Sequence, residues 1–172
     1  MILATLVDMI ASPNRGRCLR LWKDNVDLWG AAHGSSHNHQ AWAGGYLDHV
    51  KDTMEIAVAL RSVHYIREFP FALADALLVL FLHDLEKPWK SLAHVNEGLK
   101  TKVQREAFRL AKIVEYGIEL TPVQLNALKY VEGEGDDYRS DMRVMSELAA
   151  FCHMCDVASA RIWHGGVPWM AP

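Results

Sequence analysis

The stretch 81-FLHDLEKPWK-90 sets a histidine and an aspartate side by side at the end of an almost unbroken apolar run. Burying an imidazole and a carboxylate there is costly unless something satisfies both. Two more residues of the same types, His49 and Asp156, fall on two other predicted helices. Imidazole and carboxylate together suit a divalent transition metal (Mn, Co, Fe, Ni or Zn), whereas imidazole does not suit magnesium. If His83 and Asp84 both coordinate one such ion, a buried imidazole and a buried carboxylate are satisfied together. The alternative is a core histidine bonded to a backbone carbonyl beside an N-capping aspartate. Lys87 follows at i+4 from His83 and i+3 from Asp84, so on a helix it shares their face. At a helix end the dipole alone can hold such a lysine.

The elements that must position these residues read as helices throughout. Ile2 to Ile10 is amphipathic, and Ser12-Pro13 can cap and open a second helix through Leu19, Leu21 and Trp22. The segment 30-GAAHGSSHNHQAWAGG-45 is a loop by composition. A long helix is predicted from about Tyr46 to Arg67, with Leu47, Val50, Met54, Ala57, Val58 and Leu60 as its apolar stripe. Phe71 to Leu82 reads as a buried helix, and Lys100 to Tyr116 as a charged amphipathic one. Thr121-Pro122 starts another, to about Val131, and Val144 to Trp163 is the last. The acidic segment 132–143 is a loop and 164–172 an irregular tail. The expectation is an all-α chain of about six or seven helices in a single domain over residues 1–172. Its motif-bearing core runs from about 39 to 161, preceded by N-terminal helices within 1–30.

A chain of 172 residues can bury a sizeable core. Hydrophobic residues make up 51% and charged ones 23%, ordinary for a globular protein. The net charge of −3 gives no global case for wrapping duplex nucleic acid or lying on a membrane. The run 71–82 is interrupted by Asp75 and too short to span a bilayer. The first residues lack a basic n-region, and three cysteines without an export signal fit a reducing cytoplasm.

The pattern 44-GGYLDHV-50, then 83-HD-84, then 155-CDVASA-160 resembles the HD-domain metal-dependent phosphohydrolases, whose motif is His, His-Asp and a distant Asp on an all-helical bundle. The match runs from about His39 to Arg161. The resemblance implies His49, His83, Asp84 and Asp156 as metal ligands. It also implies a near-site role for His39, with Gln40 departing from the pattern of some members. Family members with His-Asp-x-x-Lys, including several phosphodiesterases, keep a lysine near the metal. Lys87 there can neutralise a phosphate oxygen or protonate a leaving group. Members with two metals need further histidines between the pair and the last Asp. This chain offers His94 and His153 there, and Glu132 where relatives can carry a histidine. One ion is therefore expected, with a second left open.

Other signals are weaker. Cys152-x-x-Cys155 reads as structural. Lys100, Lys102, Arg105 and Arg109 read as a solvated helix face, with a phosphate clamp at the mouth of the site as the alternative. Lys90 can assist Lys87, and Arg161 can reach the rim. The resemblance implies a hydrolase of phosphate esters or anhydrides on a small nucleotide-type substrate, with Asp84 and Lys87 catalytic. It is similar to small stand-alone members, including those of bacteriophages. Alternatives are a phosphodiesterase on cyclic or oligonucleotides, a diiron oxygenase of the same fold, and a non-catalytic nucleotide sensor. Homo-oligomerisation is left open.

Overall fold

The computed structural model describes residues 1–35, 39–62 and 68–162. Nine α-helices and no strand form among them: α1 (Leu3–Asp8), α2 (Asn14–Asp24), α3 (Val26–Ala31), α4 (Gly45–Arg61), α5 (Leu73–Leu82), α6 (Ala93–Asn96), α7 (Lys102–Glu115), α8 (Pro122–Tyr130) and α9 (Glu147–Arg161). The all-α expectation holds. The count exceeds six or seven because α1, α3 and α6 have only four to six residues, too few to declare a helical period.

Helix α5 is the axis of the fold. Every residue from Ala76 to Leu82 is buried, as a helix apolar on all sides requires. Helices α4, α8 and α9 pack around it, with α9 also against both α4 and α8, and α1 closes one side against α4 and α5. Asp75 interrupts the apolar run without penalty, because its Oδ1 accepts from Gln124 Nε2 at 2.7 Å. Trp29 joins the layers, with its ring 5.2 Å from Tyr46 on α4 and 5.5 Å from Phe81 on α5.

Side chains at the boundaries set where the helices begin. Thr101 and Thr121 each form a capping box, with Gln104 and Gln124 respectively, and start α7 and α8. Helix α9 starts at Glu147 rather than at Val144. Ser146 caps it by accepting from the Ala149 N–H, while the Ser146 N–H donates to Asn126 Oδ1. Ser12 does not cap α2, which begins at Asn14. Asn14 instead exchanges two hydrogen bonds with the Glu119 backbone, at 2.7 and 3.0 Å. The expected extension of α4 to Arg67 and the tail 164–172 lie outside the described residues.

All three cysteines are buried and free. Burial pushes their thiols up, to about 12 at Cys18 and Cys155, consistent with packing roles. No helix among the described residues is long and apolar enough to cross a membrane.

Candidate metal centre

The centre depends on how α4 begins. Gly44 sits at φ 83°, and a Cβ on Gly45 would lie 1.9 Å from the Gln40 carbonyl oxygen. The two glycines therefore let the loop fold tightly over the helix N-terminus. Gln40, itself in the left-handed region at φ 42°, is buried there. Its carbonyl accepts from the Gly34 N–H at 2.9 Å, and its Nε2 donates to Asp52 and to Ser159 Oγ, both at 3.3 Å. Ser159 Oγ is in turn 3.1 Å from His49 Nδ1. The departure at Gln40 thus supports the ring of His49, one turn into α4.

Helix α5 stops at Leu82, with His83 at its C-cap. Residues 83–87 continue as tight turns, bonded from the Leu85 N–H to Leu82 and from the Lys87 N–H to Asp84. The helix ends at Leu82, where the sequence places its end, and the chain tightens before the 3-10 turn Pro88–Ser91. The i+3 pairing survives the change, with Lys87 Nζ 2.5 Å from Asp84 Oδ2. His83 Nδ1 donates to the Leu80 carbonyl at 2.7 Å, which turns its Nε2 toward His49 and Asp156.

Four side chains from three helical segments converge. His49 Nε2 lies 3.1 Å from His83 Nε2, 3.1 Å from Asp156 Oδ1 and 3.5 Å from Asp84 Oδ2. His83 Nε2 lies 3.3 Å from Asp84 Oδ2 and 3.7 Å from Asp156 Oδ1. Ligands about 2.1 Å from one ion stand about 3.0 Å apart at an octahedral edge and about 3.4 Å at a tetrahedral edge. The observed separations of 3.1–3.7 Å begin within that range and extend slightly beyond it. The outer nitrogens, on Ser159 and the Leu80 carbonyl, have the supporting partners that ligating histidines use. The buried group His49, His83 and Asp156 could hold a metal ion.

The electrostatics show how strongly the site attracts positive charge. Burial opposes a His83 imidazolium, but Asp84 and Asp156 outweigh it and raise the pKa to about 10. His49, also buried and facing His83, is lowered. Burial would raise Asp156, yet its hydrogen bonds with His49 and His83 hold it well below the usual carboxylate range. Burial likewise opposes ionisation of Asp84, but Lys87 and His83 keep it far below its ordinary value.

A cleft of about 410 Å³ opens onto this cluster, lined by Asp84, Lys87 and Asp156 together with His39, Glu132, His153 and Arg161. The His39 ring is 5.0 Å from that of His49. Burial, His49 and then Lys87 lower the His39 pKa to about 4. His153 Nδ1 donates to the Val131 carbonyl at 2.7 Å. His94 is exposed on α6, away from the cleft lining. Lys90, Lys102 and Arg105 do not line it either. Lys90 is half-buried beside the turn, Lys102 faces Glu106 at 3.8 Å, and Arg105 donates to the Lys100 carbonyl.

Arg109 corrects the picture of α7 as a solvated basic face. It is 4% exposed, and its Nε and Nη2 each lie 3.1 Å from Glu86 Oε2. Nη2 is also 3.7 Å from Glu132 Oε1. Asp84, Glu86 and Glu132 form a second acidic group beside the first, but the Arg109 guanidinium already faces two of its members. Sequence reasoning missed Glu86 and Ser159 as supports, and Arg109 as a buried partner. A signal existed for Arg109, which shares the helical face of Ile113 and Tyr116, both buried.

No protein-family model, curated protein or solved structure matches this chain.

Proposed function

We propose that this protein is a metal-dependent hydrolase of phosphate esters or anhydrides in nucleotide-type substrates. The observation that carries the reading is the convergence of two imidazole nitrogens and two carboxylates beside a lysine, where Asp84, Lys87 and Asp156 line an open cleft. The order His49, His83-Asp84, Asp156, which resembles the HD-domain phosphohydrolase motif, supports the same chemistry. His49, His83, Asp84 and Asp156 would hold one divalent ion. Such an ion supplies Lewis-acid polarisation of a phosphoryl oxygen and makes water more acidic.

The chain's own groups do the rest. Asp84 Oδ2 faces His49, His83 and Lys87 together, so this carboxylate can orient the attacking water. Lys87 keeps its charge, because Asp84 outweighs the burial that would discharge it. Its ammonium is placed to offset negative charge accumulating on the phosphoryl oxygens. Arg161 and His39 flank the opening, where an anionic substrate enters.

The test is a screen of the protein loaded separately with Mn, Co, Fe, Ni and Zn. The substrates are nucleoside mono-, di- and triphosphates, cyclic nucleotides and short oligonucleotides. Metal-dependent release of phosphate or nucleotide is expected. Lys87→Ala should retain the ion while turnover falls by roughly 10²-fold or more. Absence of hydrolysis with every metal overturns the reading, and two irons per chain with a mixed-valence signal would point to an oxygenase.

A further inference from the structure

His153 lines two clefts, that of the metal cluster and a second of about 750 Å³. Glu132 borders the first cleft and Gly133, the next residue, borders the second. His153, common to the two clefts, is fixed by its Nδ1 bond to the Val131 carbonyl. Gly133, at φ 101°, brings backbone close beneath the ring, and a Cβ there would sit 3.5 Å from His153 Cε1.

We propose that this second cleft is a subsite for the far nucleoside of a phosphodiester, whose reacting phosphoryl group lies at the metal cluster. The proposal rests on the hydrolase reading above and narrows its substrate class. Two independent observations carry it, the lining of the second cleft and the charge of the first.

The second cleft presents Tyr138, 67% exposed, and Arg143, which forms no ion pair among the described residues. An exposed aromatic ring is a stacking platform for a base, and a guanidinium suits a base edge or a backbone oxygen. Arg139 is not available in the same way, because Asp141 holds it through two bonds of 2.9 and 3.0 Å. Glu134 also borders this cleft and disfavours a run of further phosphates there.

The first cleft is lined by three carboxylates, Asp84, Glu132 and Asp156, against two cationic side chains, Lys87 and Arg161. The buried Glu86–Arg109 pair behind it is neutral in sum. A divalent ion turns the excess of one negative charge into one positive. That balance matches a diester, with a single negative charge per phosphate. A terminal phosphomonoester carries about −1.5 to −2 at neutral pH, and a polyphosphate more. In the reaction water adds to phosphorus as the P–O bond to the far nucleoside breaks. The departing oxygen takes up a proton, leaving a phosphomonoester and an alcohol.

The experiment uses the metal-loaded full chain and has two arms. The first compares kcat/KM for a 3′,5′-linked dinucleotide, bis(p-nitrophenyl) phosphate, a nucleoside monophosphate and a nucleoside triphosphate. The second measures equilibrium binding of a phosphorothioate dinucleotide. The dinucleotide should be preferred. Tyr138→Ala and Arg143→Ala should each raise its KM, and weaken phosphorothioate binding, by about tenfold, a size typical of losing one stacked base. The preference for dinucleotide over bis(p-nitrophenyl) phosphate should shrink by the same factor. Preference for the mono- or triphosphate, or binding unchanged in both variants, overturns the subsite while leaving the hydrolase reading intact. Dinucleotide binding that depends on Tyr138, without hydrolysis by any metal form, overturns the hydrolase reading and keeps the subsite.

Discussion

Replacing Gly45 with alanine adds one methyl group where Gln40 lies against the start of α4. That carbon would stand 1.9 Å from the Gln40 carbonyl oxygen and 2.8 Å from its carbonyl carbon, where ordinary contact begins at 3.4 Å. The obstacle is backbone, so no rotamer change relieves it. Either α4 or the Gln40 backbone must move by more than an ångström, which breaks the Gly34 N–H bond to the Gln40 carbonyl. Overpacking of this kind costs about 1–3 kcal/mol, and a buried hydrogen bond left unmade about 1–3 kcal/mol more. A total of about 3 kcal/mol corresponds to a fall in Tm of roughly 6–12 °C for a chain of this size. The damage should reach the metal centre. Gln40 donates to Ser159, which holds His49 Nδ1, and loss of such a supporting partner typically weakens metal affinity by about 10–100-fold. Gly16→Ala is the matched control. Nothing lies within 4 Å of its added carbon, and α2 should gain about 0.5–1 kcal/mol. Thermal unfolding by circular dichroism, with metal titration by calorimetry, reads both. A Gly45→Ala variant that melts with Gly16→Ala, or binds metal like the parent, would refute the reasoning.

Arg109→Leu should destabilise the fold by about 3–5 kcal/mol in urea unfolding, because it leaves the 1%-exposed Glu86 carboxylate without its partner. Arg109→Leu combined with Glu86→Leu should recover most of that loss, and a single variant as stable as the parent would contradict the buried pair. Metal analysis should give about one ion per chain, lost in His83→Ala and Asp84→Ala but kept in His94→Ala, whose side chain is on the outside of α6. Two tightly bound ions, with one lost in His94→Ala, would reverse that assignment.

Much of the fold was legible because short-range chemistry wrote it. Thr121-Pro122 marked the start of α8, and the apolar run to Leu82 marked a buried helix, since capping and burial leave local signatures. The residue types and order of His49, His83, Asp84 and Asp156 likewise stood out, because polar side chains in apolar surroundings need a partner. Tertiary packing decided the rest. Arg109 looked like one of four cations on a wet face, and only the approach of α7 to the 83–87 turn gave it Glu86. Gln40 looked like a departure from a motif, until the packing of its backbone against the start of α4 set its amide against Ser159. Long-range pairs of this kind carry no local period, so the sequence names the candidate ligands while their supporting partners emerge only when distant helices meet.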